Sequence, residues 1–206
     1  MSLKWLNKVN GADLLELEYS KKCLTEFEGD ITAVIMGSAY GGAVEAIAKL
    51  YKGRGKIYGF DTFEDLHPGH LHPDQGSFEV TCMDHWYNHP EYGKDLLSHE
   101  YQTTYLKDQG LDNAILVKGE VGPHSVKDID KIHYCFLDMD IPTSMDNGYQ
   151  AVKDKIVPGG YILLHDIQNI KSVGDWYKET VIGKDKDMWH KVKQYGRELV
   201  TVIKRK

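Results

Sequence analysis

The chain has 206 residues, 41% hydrophobic and 27% charged, with a formal net charge of −6. That is enough for one domain built on a sheet covered by helices, and the acidic balance argues against a broad nucleic-acid surface, which would be basic. No stretch approaches the ~18 consecutive apolar residues of a membrane span, and the first residues lack a basic-then-apolar signal pattern. Cys23, Cys82 and Cys135 are too widely spaced for a disulfide framework or a Cys-x-x-Cys metal site. They read as buried free thiols in a reducing, cytoplasmic setting.

Residues Leu3 to Phe27 read as a helix that Gly29 and Asp30 close. Ile31 to Met36 is an apolar strand. It runs into Gly37, Gly41 and Gly42, and a helix with Val44, Ile47, Ala48 and Leu50 on one side follows. Strand, glycine turn and helix together bring a nucleotide-like ligand up to bare backbone N–H groups. Gly37 permits the tight turn, and Gly41 or Gly42 lets backbone approach without a Cβ. The spacing is G-x-x-x-G-G, because Ala39 stands where the second glycine of G-x-G-x-x-G would be. A structural turn explains this stretch as well as a ligand site does. Ser38 and Tyr40 lie within the same loop.

Lys56 to Phe60 is a second strand with Asp61 at its carboxyl end, 24 residues after Gly37. Dinucleotide folds place a ribose-binding carboxylate about 20 residues on, and a carboxylate can accept two hydrogen bonds from a vicinal diol. A helix cap or turn is the other role open to this aspartate. Residues 62–93 carry His67, His70, His72, His85 and His89 among prolines, glycines and aromatic side chains. So long and unusual a connection reads as a lid or substrate loop. Its histidines are either solvated or a metal site of their own.

Lys94 to Gln109 reads as a helix. Ala114 to Lys118 is a third strand, followed by Gly119 and Glu120. Ile132 to Leu137 is a fourth, ending in Asp138-Met139-Asp140. Asp146 to Ile156 is a helix, and Pro158-Gly159-Gly160 is a turn into a fifth strand, Tyr161 to Leu164, ending at His165-Asp166. A helix over Val173 to Thr180 and a closing β-hairpin, Trp189 to Tyr195 with Leu199 to Lys204, complete the chain. Alternating strands and helices predict an α/β, Rossmann-like, doubly wound and mostly parallel seven-stranded sheet with an antiparallel C-terminal hairpin. Gly37, Gly41, Asp61, Glu120, Asp138, Asp140, His165 and Asp166 all follow strand carboxyl ends. Those ends share one edge of an open parallel sheet, where ligands bind. The chain reads as a single domain, 1–206, with a helical region at 1–30 that offers a surface for a homodimer or a lid. Asn169 and Trp176 are candidates to line a substrate pocket, with core packing the alternative for Trp176.

Four pieces of the chain, VIMGSAYGGAVEAIA, YGFDTFEDL, the 31-residue run LDMDIPTSMDNGYQAVKDKIVPGGYILLHDI and the closing hairpin, follow one another in a familiar order. In that order the chain resembles the class I S-adenosylmethionine-dependent methyltransferases, and within them the macrocin O-methyltransferase-like group. The resemblance spans about Ile31 to Lys204. It implies S-adenosyl-L-methionine (SAM) as cofactor, bound through Gly37, Ser38, Tyr40, Gly41, Asp61, Glu120 and Asp138. The implied reaction is methyl transfer to a hydroxyl of a small polar acceptor, a sugar or natural-product-like molecule.

The resemblance further implies a divalent metal, Mg²⁺ or Mn²⁺, on Asp138, Asp166 and His165, with Asp138 and His165 catalytic. The chain departs from the group at Ile35, where an acidic residue is usual, at Pro142, where a tyrosine often stands, and at His165, where a second aspartate does. Imidazole is a poor ligand for Mg²⁺ but suits Mn²⁺, Fe²⁺ or Zn²⁺. Either the metal differs, or none binds and His165 is a general base. Asp140 is the alternative to Asp138 as ligand, since successive residues of an extended segment face opposite ways. Two rival readings remain: a non-catalytic ligand-binding protein on the same fold, and an NAD(P)-dependent oxidoreductase.

Overall fold

A computed structural model describes residues 11–64, 98–168, 170–195 and 200–206. Its seven strands are β1 (Thr32–Met36), β2 (Lys56–Asp61), β3 (Ala114–Lys118), β4 (Ile132–Leu137), β5 (Ile156–His165), β6 (Trp189–Tyr195) and β7 (Val200–Arg205). They form one sheet in the order β3-β2-β1-β4-β5-β7-β6. The first five are parallel, and β7 enters antiparallel between β5 and β6. The expected Rossmann-like architecture is present, hairpin included.

The inner strands are buried on both faces, so they read as unbroken apolar runs rather than alternating ones. In β1, Ala33 and Ile35 pack on one side with α1 (Gly11–Leu24), α2 (Gly42–Leu50) and α3 (His99–Asp108), through Leu24, Val44, Ile47 and Leu106. Val34 and Met36 point the other way, toward α4 (Pro142–Val152) and α5 (Lys171–Trp176), through Met145, Tyr149, Val173 and Trp176. Each such fully buried aliphatic side chain contributes about 1.5–3 kcal/mol. A π-helical turn, Tyr177–Lys184, continues α5. The second layer is tied by a polar clamp. Tyr149 donates its hydroxyl to Asp185 at 3.0 Å and accepts the Trp189 indole N–H at 2.8 Å, and Lys153 pairs with Asp185 at 3.0 Å. Trp176 is core, its indole N–H on Asp146 at 2.9 Å.

Two local expectations shift. The helix expected from Asp146 begins at Pro142 and ends at Val152. Proline's fixed φ and missing N–H suit the first helical position, so Pro142 starts the helix. Pro158-Gly159-Gly160 is not a turn before β5 but a bulge within it. Ile132 pairs with Ile156 and Tyr134 with Tyr161, so the β5 side carries the extra residues. A bulge is where a strand tolerates proline, and Gly159 sits there at φ +77°. The histidines of 62–93, together with Asn169 and Cys82, lie outside the described residues. Among the described residues, no helix is long and apolar enough to cross a membrane.

Candidate active site

The carboxyl ends of β1, β2, β4 and β5 deliver most of the anticipated residues to one edge. At the end of β1, Gly37 takes φ +83° and donates its N–H to the Phe60 carbonyl at 3.0 Å. A Cβ on Gly37 would lie 1.6 Å from the carbonyl oxygen of Asp138. Glycine is therefore imposed here by the neighbouring strand as well as by the turn. Ser38 is buried, and its hydroxyl has no hydrogen-bond partner among the described residues. Tyr40 is buried. Gly41 caps α2 at φ +75° with no side-chain cap, leaving the helix start as bare backbone.

Asp61 closes over this loop. Its Oδ2 accepts the N–H of Ala39 at 2.8 Å and its Oδ1 the N–H of Phe63 at 2.9 Å. Burial pushes its carboxyl above the ordinary aspartate range, and these backbone donors oppose that shift. Both oxygens keep further lone-pair capacity for a diol. Glu120 is exposed two residues past β3, and its neighbour Gly119 donates to the Asp61 carbonyl at 2.9 Å.

On the other side of β1 the fold gathers acids. His165 Nδ1 lies 3.0 Å from Asp138 Oδ1 and 2.6 Å from Asp166 Oδ2. Asp138, His165 and Asp166 each offer one ligand atom, all within 4.8 Å of one another. His165 packs edge-on to Phe136, with ring centroids 6.1 Å apart. Asp140 hydrogen-bonds Asp166, and burial together with the Asp138 and Asp166 charges raises its carboxyl well above the usual range. Asp140 and Asp166 both adopt left-handed backbone, at φ +56° and +54°. Aspartate tolerates that region better than most side chains, and strained backbone clusters at functional sites. Helix capping does not account for these acids. The N-cap of α4 is Ile141, with no side-chain cap bond.

Three donors, one imidazole and two carboxylates, are the mixed N/O set that suits Mn²⁺, Fe²⁺ or Zn²⁺. Asp138, His165 and Asp166 therefore fit a divalent cation. Sequence reasoning missed Gln102 of α3, whose carboxamide N–H donates to the Ala39 carbonyl at 2.7 Å. Only its place on the buried face with Leu106, four residues on, marked it.

No protein-family model matches the chain, and no curated protein sequence does. Solved structures do. CalS11, a calicheamicin methyltransferase, is 16% identical with a TM-score of 0.65, over 94% of this chain and 78% of its own. The O-methyltransferase NovP is 17% identical at TM-score 0.68, covering 92% and 79%. SMU.1697c from Streptococcus mutans, solved with S-adenosylhomocysteine (SAH), is 10% identical at 0.58, covering 92% and 97%. An rRNA methylase shares the fold as well. Sheet order, parallel core and inserted β7 together give this chain the fold of the class I SAM-dependent methyltransferases.

Proposed function

We propose that the chain transfers the methyl group of SAM to a hydroxyl of a small polar acceptor. The observation that carries this reading is the convergence of Asp138, His165 and Asp166 at the ends of β4 and β5, in contact with the glycine loop through Gly37. In this reading the backbone of Gly37 to Gly42, Ser38 and Tyr40 receive the methionine end of the cofactor, and Asp61 the ribose. Glu120, two residues past β3, would contact the adenine. The acceptor is placed over the acids.

The reaction is a displacement at carbon. The hydroxyl oxygen forms the new C–O bond as the C–S bond breaks, and the electron pair stays on sulfur, leaving SAH. It is helped by removal of the hydroxyl proton. With Nδ1 turned to Asp138 and Asp166, the imidazole N–H is held at Nδ1 and the lone pair at Nε2, the tautomer of a general base. The carboxylates stabilise the imidazolium that forms. Asp138, His165 and Asp166 are also the residues that would hold a divalent cation. When bound it would lower the pKa of the acceptor hydroxyl.

The test is calorimetric titration of metal-stripped protein with SAH, then with Mn²⁺ and Mg²⁺, followed by turnover assays on sugar hydroxyls and on RNA. Micromolar SAH binding is expected, with Mn²⁺ preferred over Mg²⁺. Absence of SAH binding with tight NADH binding would replace this reading with the oxidoreductase. SAH binding without turnover on any acceptor would favour a ligand-binding role. The acidic chain favours small acceptors over RNA.

A further inference from the structure

We infer that Gln102 is a positioning residue for the cofactor loop, holding Ala39 in a backbone conformation that alanine resists. Ala39 sits at φ +43°. In that region the Cβ of an L-residue crowds the following carbonyl, which is why glycine is the usual occupant. Here alanine stands at the position where the G-x-G-x-x-G fingerprint has its second glycine, yet it adopts the glycine conformation. Two side chains from outside the loop grip it. The Asp61 carboxylate accepts its N–H at 2.8 Å, and the Gln102 carboxamide donates to its carbonyl at 2.7 Å. The two grips come from β2 and α3, on either side of one residue.

Gln102 is itself only 3% exposed. Its helix is anchored one turn further on, where the Tyr105 hydroxyl donates to Glu45 of α2 at 2.9 Å. Gln102 and Tyr105 are three apart and share a helix face. The Gln102 oxygen also presses on the loop. A Cβ on Gly41 would lie 2.6 Å from Oε1, and the φ of +75° at Gly41 is the conformation that favours glycine there. The carboxamide thus touches both Ala39 and Gly41 and sets the spacing of the backbone that the proposed cofactor would meet.

The clamp can be tested without any ligand. Its effect on SAH rests on the methyltransferase reading. In Gln102→Met, which keeps length but removes the donor, amide hydrogen exchange over residues 37–42 of the free protein should quicken about tenfold, the equivalent of one buried hydrogen bond. Exchange in β4 and β5 should stay unchanged. SAH affinity should fall about tenfold, and adding Ala39→Gly should recover most of it, because glycine takes positive φ without strain. A merely structural role for Gln102 would lower the melting temperature and would not be rescued at Ala39. If Gln102→Met does not fold, Gln102→Glu replaces the donor with an acceptor at the same length. Unchanged loop exchange, or an affinity loss that Ala39→Gly leaves in place, would overturn the inference. If the wild-type protein failed to bind SAH, the proposed function would fall while the exchange comparison still decided the clamp.

Discussion

The β1–β2 side of the sheet edge and the β4–β5 side both present aspartates, and they treat them in opposite ways. Asp61 is engaged by backbone: Ala39 and Phe63 each give it an N–H. Asp138 and Asp166 instead turn to a single imidazole nitrogen, and Asp140 adds a third carboxyl by its bond to Asp166. The first arrangement shapes a loop, since a carboxylate that accepts main-chain N–H groups fixes backbone. The second crowds like charge, which disfavours ionisation and costs stability unless a proton or cation compensates. Helix capping does not explain the cost. In the proposed reading, the difference gives shape to one side and chemistry to the other.

The sharpest way to break that division is Asp138→Asn. It should lower turnover by roughly 10²–10⁴-fold while SAH affinity, measured by calorimetry, changes by less than about threefold. If affinity falls in step with turnover, the two sides are not separate. Gly37→Ala should damage both sides at once. The added methyl meets the Asp138 carbonyl, and unfolding in urea should show a loss of roughly 3 kcal/mol or more. Asp61→Asn should do the converse of Asp138→Asn, weakening SAH about tenfold by losing an acceptor for the loop N–H with the rate at saturating SAM little changed.

A control that should touch neither side is Glu26→Gln. Glu26 pairs with Lys204 at 2.7 Å, and Lys204 pairs with Tyr161 at the end of the strands away from His165; the Lys204 ammonium holds the Glu26 carboxyl below the usual range. A lowered carboxyl stabilises the fold above the ordinary glutamate value of about 4.3 and loses the contribution as pH falls through the native value. Glu26→Gln should therefore cost less than about 1 kcal/mol near neutral pH, because the pair is exposed. The melting curves of variant and wild type should converge in acid. A difference that persisted in acid would show that packing, not charge, matters there. Thiol titration offers a further check. Burial pushes Cys23 up to about 12 and Cys135 higher still, so both should react with an aromatic disulfide only on unfolding.

Much of this was legible before the structure. The apolar runs of β1 and β4 admit little but buried parallel strands, and the glycines and acids at their ends fall where such a sheet binds ligands. What stayed hidden depended on pairing. Nothing near Pro158 shows that β5 begins before it and continues past it, so a bulge looks like a turn. Pro142 could end a loop or begin a helix, and only the α4 packing chose. Gln102 stands between tyrosine and threonines in a polar helix, and its partner at Ala39 is 63 residues away. The Asp61 spacing suggested a ribose contact; what the structure shows, and spacing cannot reveal, is that its carboxylate grips the loop.

The contact between Gly37 and the Asp138 carbonyl has a consequence for tolerance. Where two reacting groups ride on separate elements, small errors in each accumulate in the gap between them. Here the backbone that would hold the methyl donor rests directly on the strand end that carries the proposed proton-handling group, with no side chain as spacer. The gap is then set by one main-chain contact, and a misplacement of about 1 Å is enough to cost a hundredfold in rate. In the proposed reading, residues that line the acceptor can then change around a fixed reference.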